Sequence, residues 1–212
     1  ALKISQTYDI PLHMHVSDSK TACEMAIEIT GKEYVKYLND IGALNSKFVA
    51  VHCTWCSDEE LDLLAAADAK VSHNPTSNKF LGDPIARVVD MLKRGIVVGL
   101  GTDGAASNNK LSIFQEMKMA AIDQKSLYRD PQIINSKTVW DMGTVNGAEI
   151  TGFPVGQIEK GLEADFLVVN LNDLSLVPEN KLKSHLVYSI SDTALSHVYI
   201  AGREIVSDGK FT

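Results

Sequence analysis

Four side chains in this 212-residue sequence have types and spacings that could do metal chemistry: His15, His52, His73 and Asp103. Histidine nitrogens combined with one carboxylate suit a borderline divalent ion such as zinc, and a catalytic ion keeps one position open for water. Taken singly, each histidine has an ordinary alternative as a hydrogen-bonded core residue, and Asp103 could simply cap the loop that follows it. Their recurrence carries the weight, because each stands at the end of a short apolar run of the kind that forms a buried strand. Asp103 is the most pointed. It lies in Gly101-Thr-Asp-Gly104, where glycine permits close backbone approach.

The apolar runs alternate with helical patterns. Residues 10–16 read as a strand, and residues 20–40 carry helical spacing through Ala22, Met25, Ala26 and Ile29, with Gly42 near the end. Lys47–Cys53 is the next strand, and Ser57 with Glu60 forms a capping box that opens the helix Leu61–Ala67. Ala69–His73 is a third strand, and Asn74-Pro-Thr-Ser-Asn78 reads as a loop. A helix is predicted from Pro84 to Lys93, stopped by Gly95, then a fourth strand over Ile96–Gly101 and a helix from Ser112 to about Lys125.

Four β/α units in a row imply an α/β fold with parallel strands buried on both faces. An open doubly wound sheet and a closed barrel of eight strands both satisfy that pattern. An open sheet would spread the four polar strand ends over ~15 Å, at roughly 4.8 Å per strand. A barrel gathers them at one mouth. Convergence favours half a barrel. After residue 130 the pattern changes to a helix at Lys137–Thr151, a strand at Phe166–Asn170, and strands near 195–200 and 203–207 joined by Ala201-Gly202. Residues 1–152 are therefore expected to form a partial barrel and residues 153–212 part of a small β-sandwich.

Composition excludes several classes. A 45% hydrophobic content excludes disorder, and a net charge of −7 with no run of more than two basic residues argues against a nucleic-acid partner. No apolar run approaches the ~20 residues of a membrane span, and residues 1–15 lack a secretory pattern. Cys23, Cys53 and Cys56 are an odd count without framework spacing, as expected of reduced thiols in a cytoplasmic protein. A strand pattern so soon after Ala1 suggests a piece that starts mid-fold.

Val51-His-Cys53, Ser72-His-Asn-Pro-Thr-Ser-Asn78 and Gly99-Leu-Gly-Thr-Asp-Gly-Ala-Ala-Ser-Asn-Asn109 resemble the second half of an amidohydrolase-superfamily deaminase. The similarity is greatest to the 5-methylthioadenosine/S-adenosylhomocysteine deaminases, with triazine chlorohydrolases and guanine and cytosine deaminases as neighbours. It extends to Asn146-Gly-Ala148 and to Gly161, Ala164 and Asp165. The resemblance implies strands five to eight of a (β/α)8 metal-dependent hydrolase. The activity implied is hydrolytic release of ammonia from a purine nucleoside by metal-activated water.

By that resemblance, His15 is a metal ligand and Asp103 is a metal ligand that also takes a proton from the attacking water. His52 orients the water, with a further possibility as a third ligand. Asp18 falls where the family has a glutamate that carries a proton to the ring, and His73 lines the substrate pocket. The implied cofactor is one divalent ion, zinc with iron as the alternative, expected to be weakly held or absent in this chain alone. The partner is a small purine nucleoside, and a homo-oligomer is an open expectation.

Two features depart from the family pattern. Asp18 is one methylene shorter than glutamate, and a misplacement of about 1 Å can cost ~100-fold in rate. The family's first-strand His-x-His is also missing. His13-Met-His15 shares its spacing, since alternate strand residues share a face. But the interval from His15 to Asp103 leaves room for four β/α units, half of a barrel that is typically ~250 residues long. His13 is then either a neighbour of the site or a packed histidine. These departures leave two alternatives to the deaminase: a chlorohydrolase or other aminohydrolase, or a non-catalytic truncated paralogue.

Overall fold

A computed structural model describes residues 1–178 and 180–212. Four strands, β1 (Leu12–Val16), β2 (Phe48–His52), β3 (Lys70–His73) and β4 (Val98–Leu100), form a parallel sheet in sequence order. A short helix α1 (Leu2–Tyr8) precedes them. The crossovers are α2 (Lys20–Thr30) with α3 (Tyr34–Asp40), then α4 (Asp58–Ala66), then α5 (Pro75–Leu81) with α6 (Val88–Lys93). All five residues of β2 are buried, as an unbroken apolar run between two covered faces requires. Phe48, Ala50, Val71 and Val98 meet Val35, Leu61, Leu64 and Met91 of the crossover helices, so the main core lies between the sheet and its helical layer.

Local chemistry explains most boundaries. Ser57 and Glu60 complete the capping box, each side chain bonding the other's backbone. The expected helix over 20–40 is two helices, because Gly31 adopts φ 72 and ends α2. Residues 74–78 are not a loop. Pro75 occupies the first turn of α5, where its missing N–H costs nothing. The expected helix from Pro84 begins only at Val88.

After β4 come α7 (Ala105–Asn108) and the long α8 (Ile113–Tyr128). The expected helix over 137–151 is also two, α9 (Ser136–Met142) and α10 (Val145–Thr151). Gly143 stands at the junction, where a Cβ would lie 2.1 Å from Met117 Cε.

The second sheet is antiparallel, ordered β5 (Phe166–Val169), β6 (Leu195–Ile200), β7 (Arg203–Ser207) and β8 (Lys210–Phe211). Asp165 fixes its β6–β7 hairpin by accepting the Ala201 N–H at 2.7 Å. Between β5 and β6, α11 (Leu182–Tyr188) packs on α8 and α9 and puts Val187 into the main core. No described helix is long and apolar enough to cross a membrane.

Candidate metal centre

The parallel strands deliver three of the four expected residues to one place. Ligand atoms of His15, His52 and Asp103 all lie within 4.8 Å of one another. The His15 and His52 rings meet edge to face, with centroids 4.6 Å apart and planes at 87°. Two nitrogens and one carboxylate at that separation can close on a single ion with small side-chain rotations, and they match the donor set of a catalytic zinc site. Convergence of strand ends, as in a barrel mouth, is therefore present.

Strand alternation alone would not have produced this cluster. The register pairs His15 with Val51 and Val16 with His52. His52 is thus in phase with Phe48 and Ala50, which face the helices, and out of phase with His15. The alternation ends at His52 itself, whose φ is 74, followed by Cys53 at φ 51. Ser17 (φ 46) and Asp103 (φ 57) are likewise left-handed. Such backbone is uncommon outside glycine and is costly, so its concentration at the ends of β1, β2 and β4 marks a site held by its surroundings.

Asp103 is held by hydroxyls. Its Oδ2 accepts from Ser77 Oγ at 2.5 Å and from Ser107 Oγ at 2.9 Å. Burial pushes the Asp103 carboxyl up, but the two hydroxyls, the Gly104 amide and the nearby His52 ring outweigh it and hold the group below the usual carboxylate range. Gly101 makes room for this loop, since a Cβ there would stand 2.3 Å from Asn74 Oδ1.

His52 is 4% exposed and its Nδ1 lies 2.7 Å from Asn78 Oδ1. An amide oxygen only accepts, so the His52 Nδ1–H donates to it, and Nε2 is the ring nitrogen left to face the cluster.

Asp18 lies beside His15, with Oδ2 3.5 Å from His15 Nδ1. It is not the cap of α2. Ser19 takes that position, accepting the Ala22 N–H at 3.2 Å, which leaves the Asp18 carboxylate available. Thr54 Oγ1 pins the segment by donating to the carbonyls of Ser17 (3.1 Å) and Asp18 (2.8 Å).

His73 and His13 are placed differently. His73 is 1% exposed, in phase with the core residue Val71, and neither ring nitrogen has a partner. Burial and the neighbouring charges of His52 and Lys79 hold it neutral, with a pKa lowered to about 3. Its ring lies in the buried layer, on the strand face shared with Val71. His13 is exposed on the same face as His15 and stands outside the three-residue cluster. It is a neighbour of the site, not a packed histidine.

Of the residues that support the cluster, Ser77, Asn78 and Ser107 lie in the motifs quoted above without a role that the sequence assigns, and Glu116 lies outside them. Glu116 on α8 is fully buried, accepting from Thr76 N at 3.1 Å and Asn108 Nδ2 at 2.9 Å. Asn108 also donates to Thr102 O at 2.7 Å, so one carboxylate ties α5 to the Asp103 loop. Pro75 was the available signal for α5. Nothing in the sequence tells which way Glu116 faces.

The sequence model of the Amidohydrolase family matches residues 1–205. A protein named 5'-deoxyadenosine deaminase from Methanothermobacter thermautotrophicus is 41% identical over 202 residues, covering 95% of this chain and 47% of its own. A 5-methylthioadenosine/S-adenosylhomocysteine deaminase from Nitratidesulfovibrio vulgaris is 38% identical over 210 residues, covering 99% of this chain and 48% of its own. Among solved structures, an adenosine deaminase from Xanthomonas campestris with bound zinc superposes with a TM-score of 0.96 at 28% identity. That match covers 99% of this chain and 48% of that one. The chain spans about half the length of the curated relatives it matches.

Proposed function

Because the chain belongs to the amidohydrolase family, we propose that the protein it forms part of is a divalent-metal-dependent deaminase of adenine nucleosides. The observation that carries this reading is the convergence of His15, His52 and Asp103 within 4.8 Å at the C-terminal ends of β1, β2 and β4. The relatives' names give the substrate class, an adenine nucleoside altered at its 5' position. The overall change replaces the ring amino group by oxygen, consuming one water and releasing one ammonia.

His15 and Asp103 would hold the ion, and His52 stands within 4.8 Å of both. Imidazole nitrogens with a carboxylate favour zinc, and iron is the alternative. When bound, a divalent ion supplies Lewis acidity that makes hydroxide available near neutral pH. Asp103, kept ionised by its two hydroxyl donors, accepts the proton of the attacking water. His52 offers Nε2 to orient that water or to join the ligand set, since Nδ1 is committed to Asn78. Asp18, beside His15 and free of capping duty, delivers a proton towards the ring nitrogen as the water adds. The free thiols Cys23, Cys53 and Cys56 fit a reducing, cytoplasmic compartment.

The test is an assay on the full-length protein with 5'-deoxyadenosine and 5-methylthioadenosine, following ammonia. Removing metal with a chelator should abolish turnover and added zinc should restore it. Dechlorination of a triazine with no ammonia from either nucleoside would favour a chlorohydrolase instead, and activity untouched by chelation would overturn the metal assignment.

A further inference from the structure

We infer that helix α5 is a ligand-orienting element, in which the adjacent residues Ser77 and Asn78 each fix one metal-holding side chain from a different strand. The inference rests on the metal-centre reading above and assigns roles to residues outside the proposed ligand set. Ser77 Oγ donates to Asp103 Oδ2 at 2.5 Å, and Asn78 Oδ1 accepts from His52 Nδ1 at 2.7 Å. Ser77 is fully buried, and Asn78 (3% exposed) meets His52 (4% exposed) inside the fold, whereas the Asp103 carboxylate stays open on the side away from Ser77. Within a single turn, α5 therefore reaches both β2 and the loop after β4.

The two bonds do different work. A serine hydroxyl can only donate to an ionised carboxylate, so Ser77 restrains the rotation of Asp103 and leaves Oδ1 free to turn to an ion. The Asn78 oxygen selects the His52 tautomer with hydrogen on Nδ1, directing the Nε2 lone pair into the cluster. Partners of this kind orient ligands, and their loss typically costs 10–100-fold in metal affinity.

The helix itself is anchored by residues outside the proposed ligand set. Glu116 accepts the Thr76 N–H, Lys79 pairs with buried Asp123 at 2.7 Å, and Gly82 at φ 86 ends the helix. A fixed α5 can impose geometry on two side chains whose own backbones are left-handed and strained.

The experiment uses the full-length protein with zinc as the probe, comparing wild type with Asn78→Leu, Asn78→Asp and Ser77→Ala. Asn78→Leu and Ser77→Ala should each weaken zinc binding by about 10–100-fold in chelator competition. Asn78→Asp keeps an acceptor for Nδ1–H and should restore most of the affinity lost in Asn78→Leu. A second readout needs no metal: nitrogen NMR of the His52 ring in metal-free protein should show Nδ1 protonated in wild type and in Asn78→Asp. Wild-type Nδ1 found unprotonated, or zinc affinity unchanged in Asn78→Leu and Ser77→Ala, overturns the inference. If wild type binds no zinc, the metal reading fails, and the NMR result alone then decides whether Asn78 sets the tautomer.

Discussion

Asp18 and His73 differ in what their placement leaves them free to do. Asp18 has a carboxylate beside His15 with no helix to cap, so Asp18→Asn in the full-length protein should lower nucleoside turnover by ~10²-fold or more, because an amide cannot cycle a proton. Asp18→Glu restores the missing methylene and should raise turnover, by ~10-fold or about 1.4 kcal/mol of barrier. Steady-state kinetics checks both, and an Asn variant with full activity would reduce Asp18 to a bystander. Burial holds His73 neutral in the fold, its pKa lowered to about 3, whereas in the unfolded chain it returns to its ordinary value of 6.5. Between those values the unfolded chain binds the extra proton, so the contribution of His73 is complete above pH 6.5 and is lost progressively as pH falls towards 3. Denaturant midpoints at pH 7.5 and pH 5 should therefore fall more steeply in wild type than in His73→Leu. Equal slopes would show that His73 is not buried as described.

At the scale of elements, Glu116 is the joint between α5 and the Asp103 loop. Glu116→Ala leaves the Thr76 amide and one N–H of the Asn108 amide without their acceptor, which should cost about 2–4 kcal/mol in chemical unfolding. A loss below ~0.5 kcal/mol would mean that water replaces the carboxylate. Much of this architecture was legible in sequence: the four parallel strands, the Ser57–Glu60 capping box and the 201–202 hairpin follow from apolar runs and local hydrogen-bonding residues. The breaks at Gly31 and Gly143 were not, because a glycine inside a helical pattern is tolerated as often as it terminates one. His52 shows the deeper limit. Its type and position at a strand end marked it, but pure alternation turns it towards the helices, and only a left-handed φ of 74 brings its ring to His15. That backbone is imposed by tertiary packing, as is the choice of Ser77 and Asn78 as partners.

For the whole molecule, the four-stranded sheet is half of what closes a barrel, and β1 has no strand on its outer side among the described residues. The α2 helix beside it buries no residue, leaving Met25, Ile27 and Ile29 at least half exposed. An apolar groove of about 340 Å³ runs between β1, α2 and α3, lined by Met14, Ala26, Ile29 and Tyr37 among others. Exposed apolar surface beside an open strand edge promotes association, so the 212-residue chain alone should self-associate with rising concentration in light scattering. A strictly monomeric chain would contradict that. The claim that most needs testing is that this half of the fold holds the chemistry. The most direct measurement is ammonia release from 5'-deoxyadenosine by zinc-loaded full-length protein, wild type against Asp103→Asn. We expect wild type to release one ammonia per nucleoside consumed and the variant to fall by ~10³-fold or more, since it loses an ionised ligand and the proton acceptor together. No ammonia from wild type, or an Asn variant within a few-fold of it, would contradict the account.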